Sequence, residues 1–361
     1  MAAEDDPLAR VRARIDALDR EIQQLISERA ACAKEVAHIK GRGGDVVYYR
    51  PEREAQVLRS VMERNSGEMP AAHMVRIFRE IMSACLALEQ PLTVAFLGPA
   101  GTYTQEAAIK HFGHAVTLVS QATVEEVFRE VETGRSDYGV VAVENSTEGS
   151  VTHTLDLLIN SPLQISGEVE LRIHHHLLSR ATKLDDVTVV YAHQQALAQC
   201  RGWLDGHLRG VKQVAVNSNA EAAKRAVTEL TSAAIASDAA GEIYGHNVLA
   251  SNIEDVSGNT TRFFVIGASY PPASGRDRTS LLVMTGNQPG ALYRVLSPLA
   301  HHGISMTRIE SRPSRRGVWD YLFFVDIEGH VEETAVAAAL QELRAAADDV
   351  KLLGSYPVVV V

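Results

Sequence analysis

The sequence predicts a multidomain protein with an all-helical unit, a two-lobed α/β unit and a ferredoxin-like α+β unit in that order. Three observations support this fold class. Apolar residues recur at three- and four-residue steps near the N-terminus. Short apolar strands then alternate with helical patterns, and a β-α-β-β-α-β order follows. At 361 residues the chain is also too long for one compact core.

Three helices are predicted in the first unit. Residues 8–40 are predicted to form one helix of roughly 33 residues, about 50 Å long, which the glycine-rich residues 41–44 end. Because such a rod exceeds a small domain, part of its apolar stripe is expected to need a partner chain. A second helix is predicted from 52 to about 64 and a third from about 70 to 89.

The middle unit begins near Leu92, where the pattern changes to alternating strands and helices. Strands are predicted at 92–97, 138–143 and 187–191, and helices at 103–112, 124–132, 196–204 and 220–229. Such alternation indicates a mostly parallel sheet covered by helices, and its length suggests two lobes.

The third unit follows residues 270–275, which have the composition of a linker. Its predicted elements are a strand at 280–285, a helix at 291–301, strands at 304–311 and 318–327, a helix at 333–347 and a strand at 350–360. This is the order of the ferredoxin-like split unit.

Composition excludes several classes of function. The formal charge is −10 and the Lys and Arg residues are scattered, which argues against a nucleic-acid partner. Cys32, Cys85 and Cys200 lie far apart, so neither a disulfide framework nor a metal site is indicated. The N-terminus does not resemble a targeting signal and no run is long enough for a membrane span, so we expect a cytoplasmic protein without a membrane partner.

Thr261 and Arg262 stand side by side at the mouth of an apolar strand, residues 263–266. Open α/β sheets place ligands at strand ends, where a guanidinium could carry an anionic substrate and a hydroxyl could contact a leaving group. The alternative is a threonine in the strand ladder and an arginine in solvent.

Two loops of the middle unit also place polar groups at strand ends. Residues 98–104 join a strand to a helix, where amides could bind an anion, but they are not a GxGxxG motif, so no nicotinamide cofactor is expected. Residues 144–147 give four consecutive polar groups after another strand. Either loop alone could be an ordinary cap or turn. The three histidines at 174–176 suggest a metal, but adjacent strand residues point to opposite faces, so a structural role is expected.

Cations lie within the apolar stripe of the first helix. Arg29 and Lys40 are within about 20° of each other on the helical wheel. Because an unpaired buried cation is very costly, they suggest an anion between the helices, and Glu89 poses the same question on the third helix. Alternatively, the two cations reach solvent at the bundle end, or Glu89 pairs with one of them.

Residues 8–90 resemble the helical chorismate mutase family, through Leu8–Arg12, Ile15–Asp19, Glu28-Arg29, Lys40 and Arg53-Glu54. The resemblance implies a dimer of intertwined three-helix chains. The resemblance implies that four residues bind the carboxylates and ether oxygen of chorismate, namely Arg12 (from the partner chain), Arg29, Lys40 and Arg53. Glu89 stands where glutamine occurs in the family and could donate to the ether oxygen only when protonated. Mutase activity is therefore expected to decline as pH rises through a raised Glu89 pKa.

Residues 92–270 resemble prephenate dehydratase, through 98–104, 144–147, 192–196 and the Thr261-Arg262-Phe263 element. The resemblance implies a two-lobed, periplasmic-binding-like fold with prephenate in the cleft. It implies that Thr261 serves the leaving hydroxyl and that Arg262 holds a carboxylate. The implied lining residues are Thr102, Thr104, Glu144, Asn145, Ser146 and Thr147.

Residues 278–361 resemble an ACT regulatory domain. Such domains bind phenylalanine at a dimer interface, and the resemblance carries this role to Asn287, Gly290, Ala291, Leu292, Glu310, Ser311, Arg312 and Pro313. Without it, both segments would be interpreted as ordinary turns.

The three resemblances together identify a bifunctional chorismate mutase/prephenate dehydratase family with phenylalanine feedback. The expected units are 1–91, 92–272 and 278–361, in a homodimer or higher oligomer without cofactor or metal. An arogenate dehydratase remains open, as does a non-catalytic amino-acid sensor, which would leave the Arg29/Lys40 stripe and the Thr261-Arg262 pair without a purpose.

Overall fold

A computed structural model describes residues 6–40, 49–313 and 321–360. The three predicted N-terminal helices are confirmed. Helix α1 is Pro7–Lys40, α2 is Pro51–Arg64 and α3 is Ala71–Glu89. The predicted helix end at 41–44 lies outside the described residues. None of the described helices is both long and apolar enough to cross a bilayer.

Helix α1 leaves its apolar stripe in solvent. Ile15, Ile22 and Leu25 are 50%, 53% and 64% exposed. Nearly every side chain from residue 6 to residue 28 is exposed, whereas the C-terminal part of α1 packs against α3. More than half of the helix therefore has an apolar face that the described residues of this chain do not cover.

Two mixed sheets form the middle unit. The first lobe contains β1 (Thr93–Leu97), β2 (Thr117–Gln121), β3 (Tyr138–Asn145), β4 (Gly149–Ser150), β5 (Gln164–Arg172) and β11 (Thr260–Gly267), with helices α4 (Tyr103–Phe112), α5 (Val124–Glu132) and α6 (Thr152–Asn160). The second lobe contains β6 (His176–Ser179), β7 (Val189–His193), β8 (Lys212–Val216), β9 (Ser232–Ala236) and β10 (Asn247–Ala250), with helices α7 (Gln194–Gln199), α8 (Arg201–His207), α9 (Asn219–Ala226) and α10 (Asp238–Tyr244). The predicted two lobes are confirmed.

The predicted mostly parallel sheet is wrong. Strand β1 runs parallel to β2 and β3, but β11 is antiparallel to both β3 and β5. The chain leaves the first lobe after β5, builds the second lobe and returns as β11, so the returning strand enters the first sheet from the opposite end. The predicted helix at 196–204 is also split, because α7 ends at Gln199 and α8 begins at Arg201.

The C-terminal unit has the predicted β-α-β-β-α-β order. Its elements are β12 (Asp277–Thr285), α11 (Ala291–His301), β13 (Met306–Pro313), β14 (Tyr321–Glu328), α12 (Thr334–Ala346) and β15 (Asp349–Pro357). The strand order is β13-β14-β12-β15, and the two helices share one buried cluster with one face of this sheet.

The other face of this sheet packs against the first lobe of the middle unit. Phe324 and Tyr356 belong to one apolar cluster with Leu158, Ile165 and Phe264. Strand β15 approaches β5 so closely that a Cβ on Gly354 would overlap the backbone of Ile165. The two units therefore share a core.

The helical unit is tied to both other units. The buried ring of Tyr49, just before α2, packs against Phe112 and Tyr138 at centroid distances of 5.3 and 5.4 Å. Val360 joins the α2–α3 core beside Leu58.

Candidate functional sites

A cavity of about 460 Å³ lies between the three N-terminal helices. Four predicted residues line it, namely Arg29, Arg53, Glu54 and Glu89. Arg29 is half-buried and Arg53 is exposed. Arg12 is not part of the lining, and the side chain of Lys40 lies outside what the structure describes. The cavity can hold an anion, because three arginines line it, namely Arg29, Arg50 and Arg53.

Glu54 lies at the edge of this cavity, beside Arg79 of α3. The Nε atom of Arg79 is 3.7 Å from Oε1 of Glu54. Burial raises the pKa of Glu54 to about 7, although Arg79 and Tyr49 oppose this. The sequence motif suggested Glu54 but gave no sign that its charge would change near neutral pH.

The raised pKa of Glu54 makes stability depend on pH. The unfolded-state pKa of a glutamate is about 4.3, so the folded protein binds this proton more tightly. Its stabilising effect is complete below about pH 4.3 and is lost as pH rises through about 7. Between these two pH values the free energy of unfolding of the wild type should fall by about 3–4 kcal/mol on account of this group, and Glu54→Gln should abolish that fall.

Chemical denaturation from pH 4.5 to 8 would measure this difference. The matched control is Glu63→Gln, at an exposed glutamate of the same helix. Parallel pH profiles for wild type and Glu54→Gln would contradict the prediction.

A second cavity, of about 480 Å³, lies between the two lobes of the middle unit. Four predicted residues line it: Thr102, Thr104, Asn145 and Thr261. His193, Gln195 and Ala196 of the 192–196 segment line it too. The other predicted residues do not line this cavity, namely Glu144, Ser146, Thr147 and Arg262. The first three belong to the β3–β4 hairpin beside the cleft or to its turn.

Asn145 orients the Thr261 hydroxyl. The Oδ1 atom of Asn145 accepts hydrogen bonds from the amides of Thr147 and Glu148, at 3.0 and 3.1 Å. The Nδ2 group must therefore be the donor to Thr261 Oγ1, at 2.8 Å, and to Asn259 Oδ1, at 2.7 Å. With its oxygen accepting from Asn145, the Thr261 hydroxyl can donate its own hydrogen to a group in the cleft.

Helix N-termini supply the positive electrostatic potential of this cleft. Its lining contains neither lysine nor arginine among the described residues. Instead, α4 begins at the cleft with Thr102 as its cap, and α9 begins there with Ser218, whose hydroxyl accepts from the Glu221 amide at 3.0 Å. The first amides of a helix point at such a site and favour anions.

Several lining residues were missed by sequence reasoning. They are Glu148, His175, Gln199, Asn217, Ser218 and Asn259, among others. Asn217 and Ser218 follow β8 and directly precede α9. Their position at a strand end, like that of residues 144–147, could have marked them as candidate site residues. No local pattern marks His175 or Gln199, because the fold alone brings them to the cleft.

The three consecutive histidines have separate partners. His174 Nδ1 is 2.9 Å from Glu254, His175 Nε2 is 2.8 Å from Gln199, and His176 Nε2 is 3.4 Å from Asp238. Burial lowers the pKa of His175. In the described part of the chain no three His, Cys, Asp or Glu residues are grouped as a metal site.

Arg262 points away from the cleft. Its guanidinium bonds to Glu168 and Asp326, at 2.7 and 2.6 Å, and to the Tyr356 hydroxyl at 3.1 Å. Burial alone would lower the pKa of Arg262, but Tyr356, Asp326 and Glu168 outweigh it and raise that pKa. The two neighbours therefore do not act in one pocket, because adjacent strand residues point to opposite faces.

The two predicted segments of the C-terminal unit lie at the same end of its sheet. Pro313 of β13 pairs with Tyr321 of β14, which pairs with Thr285 of β12, directly before the 287–292 segment. Two strand spacings separate the segments by about 10 Å. Gly290 has φ 75°, which favours glycine where α11 begins.

The Glu310–Pro313 motif is divided between two faces of β13. Glu310 and Arg312 are half-buried toward the middle unit, whereas Ser311 and Pro313 are exposed. Arg312 is bonded to the middle unit, to the Thr152 carbonyl at 2.7 Å and to Asp156 at 3.0 Å. The predicted ligand residues therefore do not share one surface.

Three family models match this chain in succession. They are chorismate mutase type II over residues 11–90, prephenate dehydratase over 94–270 and the ACT domain over 279–345. These matches follow the order of the three units described above.

Relatives described as bifunctional chorismate mutase/prephenate dehydratase match nearly the whole chain. The protein from Stutzerimonas stutzeri is 53% identical, with 98% of this chain and 99% of that protein covered. The protein from Escherichia coli K12 is 32% identical, with coverages of 98% and 97%.

Two solved structures resemble about three quarters of this chain, each with 34% identity and a TM-score of 0.68. One is a prephenate dehydratase from Arthrobacter aurescens in complex with L-Phe, which covers 75% of this chain and 93% of its own. The other is described as a novel type of quorum quenching acylase and covers 74% and 98%.

Proposed function

The chain belongs to the family of bifunctional chorismate mutase/prephenate dehydratases, and on this premise we propose that its two cavities divide the two reactions. The protein rearranges chorismate to prephenate and converts prephenate to phenylpyruvate. The helical cavity would perform the first step and the cleft between the lobes the second. The observation that carries this assignment is the Thr261 hydroxyl, which lines the cleft and accepts a hydrogen bond from Asn145.

The mutase step requires positioning rather than proton transfer. Chorismate carries two carboxylates, and its rearrangement needs a compact conformer and stabilisation of charge on the ether oxygen. Arg29 and Arg53 face the cavity and would bind the carboxylates, together with Lys40 at the end of α1. Glu89 lines the same cavity and would donate to the ether oxygen when protonated.

We propose that Arg12 completes the mutase site of a second copy in a homodimer. Arg29 lies seventeen positions after Arg12, about 25 Å along a straight helix, and Arg12 lies outside the cavity lining. The uncovered apolar stripe around Ile15 and Ile22 is suited to pairing with the same stripe of another chain.

Mixing two inactive variants tests this arrangement. Arg12→Ala and Arg29→Ala should each lose mutase activity, but a subunit-exchanged mixture should recover about a quarter of the wild-type rate. Each mixed dimer then carries one intact site and one doubly damaged site. A mixture no more active than its parents would contradict the shared site.

For the dehydratase step, we propose that helix amides hold the substrate while Thr261 assists the leaving group. The bond to the ring carboxylate breaks and releases CO₂, its electrons enter the ring, and the hydroxyl departs as water after taking up a proton. A hydrogen bond from Thr261 stabilises the departing hydroxyl. The N-termini of α4 and α9 would bind the carboxylates. Arg262 has no part in binding, because it faces the other side of the sheet.

Phenylalanine is the proposed feedback ligand of the C-terminal unit. A related dehydratase has been solved with L-Phe, and the 287–292 and 310–313 segments lie at one end of the sheet. Glu310 would offer a carboxylate to the ammonium on the face of β13 toward the middle unit.

One experiment tests the whole assignment. Purified protein supplied with chorismate should form phenylpyruvate, and phenylalanine should slow its formation. Accumulation of prephenate alone would contradict the dehydratase assignment. Faster turnover of arogenate than of prephenate would instead favour the aminated substrate.

A further inference from the structure

Arg308 of the C-terminal unit holds both strands of the β3–β4 hairpin. Its Nε atom is 2.9 Å from Glu144 Oε2, and its Nη2 group donates to Ser150 Oγ at 2.8 Å. Glu144 and Ser150 are directly paired across the hairpin. Arg308 is 10% exposed, so a largely buried guanidinium joins the two units at this point.

This hairpin forms one wall of the dehydratase cleft. Asn145, Glu148, Gly149 and Ser150 line the cavity, and Asn145 orients Thr261. Glu144, which Arg308 contacts, is directly followed in sequence by Asn145, whose side chain donates to the Thr261 hydroxyl. A movement of Arg308 therefore reaches the reacting groups through two hydrogen bonds.

Arg312 makes a second attachment directly beyond the hairpin. It bonds to the Thr152 carbonyl and to Asp156 at the start of α6. From Arg308 onward the side chains of β13 alternate, so Arg308, Glu310 and Arg312 share the face toward the middle unit. Glu310, a proposed ligand of the amino acid, thus lies on β13 between Arg308, which bonds to the hairpin, and Arg312, which bonds to α6.

We propose that Arg308 is a positioning residue that transmits phenylalanine binding on β13 to the dehydratase cleft. This inference rests on the proposed feedback function. An ammonium attracted to Glu310 changes the charge balance between Arg308 and Arg312 and shifts β13 relative to the hairpin. A ligand changes a distant site only through such a difference in contacts between two states. Because the planar guanidinium of Arg308 bonds to both Glu144 and Ser150, it moves these two residues together. Asn145 and the Thr261 hydroxyl then move with the hairpin.

Inhibition and binding of phenylalanine in Arg308→Met test this link. In the full-length variant, calorimetry should find phenylalanine binding close to that of wild type. The phenylalanine concentration that halves dehydratase activity should rise by about fivefold or more. The mutase rate should not change. The matched control is Arg344→Met, which removes an exposed arginine from α12 of the same unit and should leave inhibition as in wild type.

Arg308→Lys keeps the charge and provides a second test if the methionine variant folds poorly. A lysine reaches Glu144 or Ser150 but cannot hold both in one plane, so inhibition should still weaken. Wild-type inhibition in either variant would overturn the link while the proposed feedback stands. If wild-type protein binds or responds to no phenylalanine, the feedback function itself fails. Equal loss of binding and inhibition would assign Arg308 to the ligand site instead and overturn the link.

Discussion

Replacing Thr261 with alanine is expected to lower the dehydratase kcat by roughly 100- to 1,000-fold and to leave the mutase rate unchanged. The variant loses the hydroxyl that Asn145 directs into the cleft. Because the departing hydroxyl gains most of its charge in the transition state, a lost donor affects kcat more than KM. Steady-state rates with prephenate and with chorismate would separate the two activities.

Two neighbouring variants make this test specific. Thr261→Ser keeps the hydroxyl and should retain most of the dehydratase rate. Thr260→Ala removes a hydroxyl that bonds to the Gly258 carbonyl at 3.3 Å and does not line the cleft, so it should have little effect. If Thr261→Ala lowers both activities equally, the separation of the two sites is wrong.

Replacing Arg262 with methionine is expected to lower the free energy of unfolding by about 3–5 kcal/mol. Glu168 and Asp326 are 1% and 3% exposed, and the substitution removes a cation that both contact. Glu168 keeps Arg278 as a partner, at 2.5 Å, so the stranded charge is that of Asp326. Chemical denaturation would measure the loss.

The same variant distinguishes two roles for Arg262. A carboxylate-binding arginine would raise the KM for prephenate when removed, whereas an arginine outside the cleft should leave the KM of the folded protein nearly unchanged. Adding Asp326→Asn should recover part of the stability, because it removes the stranded charge. A large rise in KM without loss of stability would restore the substrate-binding role.

Strand geometry explains which site residues the sequence could predict. Adjacent strand residues face opposite sides of a sheet, which is why three consecutive histidines are not expected to share a metal and why Thr261 and Arg262 lie on different faces. The same alternation separates Ser311 from Glu310 and Arg312. A sequence motif contains neighbouring residues, whereas a pocket is lined by residues on one face of a strand. The two sets coincide only on loops and at helix starts such as Thr102.

Non-local packing explains most of what the sequence could not predict. The helix bounds and the order of the last six elements follow from local patterns. The antiparallel return of β11 between β3 and β5 depends on pairing across the whole second lobe. The partners of Arg262 are likewise distant in sequence, because Glu168 lies on β5 and Asp326 and Tyr356 lie in the C-terminal unit. A local window therefore shows a cation at a strand mouth without its partners.

The contact between Val360 and the α2–α3 core has a consequence for synthesis of the protein. The helical unit emerges from the ribosome before the other two units, yet Leu58 and Val75 gain their neighbour Val360 only after both of those units have been made. Arg79 donates a hydrogen bond to the Val360 carbonyl at 3.0 Å, and this bond likewise cannot form until residue 360 has been made. The nascent mutase helices therefore present an unfilled apolar groove while the rest of the chain is made, which is a natural point for chaperone binding.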